Sequence, residues 1–65
     1  MEDQQYQHEG TQFYVDRVQS GVLSLQDVQA YERGVTNAIE QFGDDTGHET
    51  MIQQSTREAL TVLQS

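Results

Sequence analysis

From Ser24 to Phe42, apolar residues return at steps of three and four: Leu25, Val28, Tyr31, Val35, Ala38, Ile39 and Phe42. Steps of that size stack side chains on one side of an α-helix. The segment therefore predicts a helix with a single apolar stripe about five turns long. Ser24 is placed to cap its first turn, and Asp27 stands where a carboxylate meets the positive end of the helix dipole. Gly43 suits the position that closes the helix. Gly34 lies inside the pattern and costs up to ~1 kcal/mol against alanine. Either it permits a close helix crossing or it is simply tolerated.

A second helical period runs over residues 48–63. Met51, Ile52, Ser55, Thr56, Ala59, Leu60 and Leu63 trace the expected inward face, with Val62 at its flank. Serine and threonine at its centre make this seam weaker than the first. Between the two segments, Gly43-Asp44-Asp45-Thr46-Gly47 reads as a loop. Thr46 and Glu49 have the spacing of a capping box for the helix that follows, with a start one or two residues later as the alternative. So short a link favours antiparallel neighbours.

Residues 11–20 predict a third, shorter helix. Thr11 is its expected N-cap, Gly21 its end, and Phe13, Tyr14, Val15, Val18 and Val22 its apolar face. A rival reading turns the β-formers from Tyr6 to Val15 into a small hairpin around Glu9-Gly10. Residues 1–10 are polar and read as a flexible N-terminal segment, which leaves 11–65 as a single helical domain. The expected fold class is all-α. It is a small three-helix arrangement, a helical hairpin (about 24–42 and 48–63) with the short N-terminal helix packed across it.

Composition limits how large the core can be. The chain has 65 residues, of which 34% are hydrophobic, so it supports a thin seam rather than a layered interior. There is no cysteine, and hence no disulfide or thiolate chemistry. No stretch reaches the ~20 apolar residues of a membrane span, and the first ten residues do not resemble a signal peptide. A cytoplasmic location is the expectation.

Charge narrows the partners. Eleven acids against three arginines give a net charge of −8. Such a chain repels nucleic acid and anionic membranes, so neither direct nucleic-acid binding nor membrane binding is expected. If charge steers an encounter, the partner is a larger, basic protein. The plainer reading is that the charge keeps a small protein soluble.

Catalytic and metal chemistry find little support. The only imidazoles are His8 and His48, and no nucleophile motif is present. Asp44, Asp45, His48 and Glu49 crowd together but match neither a calcium loop nor a paired-histidine zinc motif, so helix capping is the preferred account. No catalytic residue, cofactor or metal is expected. Mimicry of DNA across the whole fold is weakly supported on density, which leaves a local acidic patch at Asp44, Asp45 and Glu49. A helix of ~27 Å would need about sixteen charges to match the duplex, and the second helix carries only Asp27, Glu32 and Glu40 against Arg33.

Protein binding remains. Tyrosine and arginine anchor interfaces, which singles out Tyr14 with Arg17 and Tyr31 with Arg33; Asp44, Asp45 and Glu49 form a local acidic patch. The plainer reading of the aromatics is ordinary core. The expected function is a small, acidic, non-catalytic protein-binding module. It would be a regulator or inhibitor of phage or mobile-element type, occupying a surface on a larger protein. Two rivals stand beside it: a self-assembling homodimer or scaffold built on Val28, Val35 and Phe42, and an acidic nucleic-acid mimic.

Overall fold

The structure, a computed structural model, describes residues 6–65. Three α-helices follow in order: α1 (Thr11–Gln19), α2 (Leu25–Phe42) and α3 (His48–Gln64). The chain is all-α among the described residues, and α1 displaces the hairpin reading of residues 6–15. The helices α2 and α3 pack together as a hairpin, and α1 lies chiefly against α3. Of the expected lead segment 1–10, residues 1–5 lie outside the described residues. Residues 7, 8 and 10 hydrogen-bond to α3.

Each helix start is served by a carboxylate, and each in a different way. At α2, Ser24 and Asp27 form a reciprocal capping box, with the Asp27 N–H donating to Ser24 Oγ at 3.0 Å and the Ser24 N–H donating to Asp27 Oδ2 at 2.9 Å. At α3, the expected Thr46–Glu49 box is replaced. The helix begins at His48 behind Gly47, whose φ of +78° suits a residue without a Cβ. Thr46 Oγ1 instead accepts from the His48 N–H at 3.2 Å. The Asp44 carboxylate reaches forward over the first turn and accepts from the backbone N–H groups of Glu49 (3.2 Å) and Thr50 (2.9 Å) and from the Thr50 hydroxyl. A left-handed residue at Gly47 turns the chain back, so Asp44 meets the Glu49 amide that the Thr46 hydroxyl was expected to serve.

At α1 the expected cap fails for a different reason. Gly10, not Thr11, is the N-cap, and Thr11 is the first helical residue, fully buried against α3. Its hydroxyl donates to Glu58 Oε1 at 2.7 Å. Glu58 also accepts from the backbone N–H groups of Gln7 and His8, both at 2.9 Å. Gly10 permits this docking. A Cβ there would lie 3.0 Å from Ser55 Oγ, the atom that accepts the Gly10 N–H at 3.2 Å.

The core is small. Val15, Val28, Val35 and Ala59 are its buried apolar residues, joined by Thr11, Ser55 and Thr56. Short side chains along α3 let α1 approach closely, since interaxial distance follows the side chains at the contact. The Thr56 hydroxyl satisfies itself on the carbonyls of Ile52 and Gln53, both at 2.9 Å. Among the described residues, no buried side-chain nitrogen or oxygen lacks a partner. A polar row crosses the hairpin beside this seam. Arg57 Nε donates to Glu32 Oε2 at 2.8 Å, Thr36 donates to the same oxygen at 3.1 Å, and Gln53 donates to Thr36 at 3.0 Å.

Candidate functional site

The short α1 sets up the site. Thr11, Val15 and Val18 fall at helical spacing and turn toward α3, with Val15 only 1% exposed. A helix that spends that face on α3 points Phe13 elsewhere, and Phe13 is 50% exposed. Tyr14 stands between the two directions. The sequence expectation that Phe13, Tyr14, Val15, Val18 and Val22 share one inward face therefore holds for Val15 and Val18 but not for Phe13 or Val22.

The stripe on α2 divides in the same way. Val28 and Val35 are buried, whereas Tyr31 is 46% exposed. Of the three residues named for a homodimer seam, Val28 and Val35 are buried within the chain and Phe42 is exposed. Phe42 is 82% exposed, about 16 Å along the helix axis from Tyr31. On α3, Ser55, Thr56 and Ala59 point inward as expected, and Met51 points out.

Between α1, the following loop and the first half of α2 these exposed groups enclose a groove of about 650 Å³. Three aromatic rings form its wall. Phe13 meets Tyr14 edge-on, with ring centroids 5.2 Å apart, and Tyr14 meets Tyr31 at 6.0 Å and a tilt of 53°. Val22, Leu23 and Val28 supply its aliphatic floor and rim. The Arg17 guanidinium lies 4.3 Å from the centroid of the Phe13 ring, a cation stacked on an aromatic face, and Asp27 borders the same space. Burial pushes the Tyr14 phenol up to about 12, with the neighbouring Tyr31 adding to the effect. The phenol is therefore neutral throughout the physiological range.

A smaller hollow of about 190 Å³ adjoins the groove and shares Tyr14 with it. Glu9, Gly10, Met51, Ile52 and Ser55 line the rest.

The residues singled out in the sequence thus divide. Tyr14, Arg17 and Tyr31 come together in the groove. Arg33 does not join them: residues two apart on a helix do not face each other, and Arg33 is exposed elsewhere on α2. Asp44 is engaged in holding the start of α3. The Thr50 hydroxyl, then the Glu49 side chain and the Thr50 and Glu49 amides, lower its pKa to about 2. Asp45 is exposed, and Glu49 is half-buried in the first turn of α3. Sequence reasoning missed Leu23 and Asp27 as parts of the site and did not foresee that Val22 would line it. For Val22 and Leu23 the signal was present in the break after Gly21, because a helix ending there throws the next two residues over the adjoining helix.

Among the described residues, no three His, Asp or Glu side chains gather as metal ligands. No protein-family model matches this chain, and comparisons with curated proteins and with solved structures find no significant match. No helix among the described residues is long and apolar enough to cross a membrane.

Proposed function

We propose that this chain is a non-catalytic protein-binding module, a cytoplasmic regulator or inhibitor that docks on a larger protein through the groove between α1 and α2. The observation that carries this reading is the exposure of Phe13, Tyr31 and Val22 around one groove, at 50%, 46% and 62%. A contiguous apolar surface rimmed by polar groups marks an interaction site in a small protein. Aromatic residues and arginine, the residues that meet here, contribute most of the energy in protein interfaces. Half-exposed walls leave the groove open to solvent, which suits a side chain or helix from another protein better than an enclosed small molecule. The polar groups lining it are two phenols, a guanidinium stacked on Phe13 and a carboxylate held in a capping box.

Site-specific photocrosslinking in the source cell tests this. A photoreactive phenylalanine at position 13 or 31 is expected to trap the same discrete protein adduct, and one at the exposed Asn37, outside the groove, to trap none. Adducts that form from position 37 and not from the groove would overturn the reading. Adducts containing only a second copy of the chain would replace it with self-assembly.

A further inference from the structure

If the groove is the docking site, its surroundings also specify the occupant. The groove and the smaller hollow meet at Tyr14, so an apolar strip runs from Val22 past Phe13 and Tyr31 to Met51. An acid borders the strip in each hollow, Asp27 in one and Glu9 in the other. Aromatic faces attract positive charge, and Arg17, which lines the groove, already occupies a face of Phe13. The wider field has the same sign, since the net charge is −8. A second copy of the chain would bring an equal negative charge onto this surface, and a basic partner would be drawn to it.

We infer that the strip receives an amphipathic segment of a partner protein, whose apolar side chains cover Phe13, Tyr31 and Met51 and whose flanking lysines or arginines reach Asp27 and Glu9. This segment is distinct in chemistry from an acidic peptide or a second copy of this chain, and the inference rests on the groove being the docking surface.

The test is selection of a displayed random-peptide library on the full chain, with counter-selection on the double variant Phe13→Ser, Tyr31→Ser. Surviving peptides are expected to place Lys or Arg on either side of large apolar residues. The best of them, made synthetically, is expected to bind the Tyr31→Ala variant about tenfold more weakly. It should also bind the Glu9→Gln, Asp27→Asn variant several-fold more weakly, with a flatter dependence on salt. Asparagine at position 27 keeps an oxygen for the Ser24 N–H, and circular dichroism of each variant checks that the helices persist.

Survivors without basic residues, or binding that falls with Tyr31→Ala but ignores the charge variant, would overturn the basic occupant while leaving the groove as the docking surface. Binding indifferent to Tyr31→Ala, or no survivors at all, would overturn both. Sedimentation that shows a dimer abolished by Phe13→Ser, Tyr31→Ser would install a second copy as the occupant instead.

Discussion

Glu58 is the residue on which the position of α1 turns. Its carboxylate gathers Gln7, His8 and Thr11, residues about fifty positions away in sequence. The Gln7 amide, followed by the Thr11 hydroxyl and the His8 amide, holds its pKa below the usual value. Asp44 is shifted the same way at α3, and so is Glu32, chiefly by its Arg57 partner. The sign of the consequence follows from the direction. A carboxylate whose folded pKa lies below its unfolded one stabilises the fold fully above the unfolded value. That stability drains away as pH falls through the folded value. The window therefore opens below about pH 4.5, the ordinary glutamate value, and for Asp44 extends down to about 2. Thermal melts should show Glu58→Gln less stable than the parent at neutral pH, with the gap narrowing as both are taken into this acid range. A gap that stayed constant to the lowest pH would mean that the charge on Glu58 does not hold α1.

At the scale of the helices, the three starts form a graded series in legibility. The α2 box joins residues three positions apart, and its spacing announces it. The α3 start uses Asp44, five and six residues before the amides it accepts from, so a spacing rule tuned to Thr46 and Glu49 selected the wrong acceptor. The α1 start uses an acid from another helix, which no local pattern can indicate. Two substitutions in α2 separate the local effects from the tertiary ones. Ser24→Ala should cost about 1 kcal/mol, because it orphans the Asp27 amide. Gly34→Ala should stabilise by up to ~1 kcal/mol, because a Cβ there meets nothing within 4 Å and the glycine serves no helix crossing. Chemical denaturation of the two variants, with the slope m unchanged, checks both. A destabilised Gly34→Ala protein would show that the glycine has a role the packing does not reveal.

For the whole molecule, thinness is the governing fact. The Cα envelope measures 41 × 22 × 18 Å, and two helix diameters already fill about 20 Å. Every helix accordingly keeps a side toward solvent, and larger apolar groups than four small core residues can cover are left at the surface. Core and groove should respond differently to truncation. Val28→Ala removes two methyl groups from a site 1% exposed and should cost about 2 kcal/mol. Phe13→Ser removes a larger group from a half-exposed site and should cost less than that, while weakening any groove-bound partner. Equal losses in a denaturant titration would place Phe13 in the core and remove the groove from consideration.

The sequence by itself determined what depends on neighbours along the chain. Hydrophobic period, capping spacing and glycine placement gave three helices with ends correct to a residue or two, because each is an interaction over one or two turns. It also determined the charge, and that Tyr14, Arg17 and Tyr31 carry chemistry suited to an interface. Only the tertiary structure decided which apolar residues the core would accept. A stripe of seven positions on α2 exceeds what one neighbouring helix can cover, and the choice of Val28 and Val35 over Tyr31 and Phe42 depended on where α3 and α1 lie. It likewise decided that Arg57 pairs with Glu32, while Glu58 serves the start of α1. Both outcomes rest on which distant groups meet in limited shared space, and periodicity along a single helix carries no information about that.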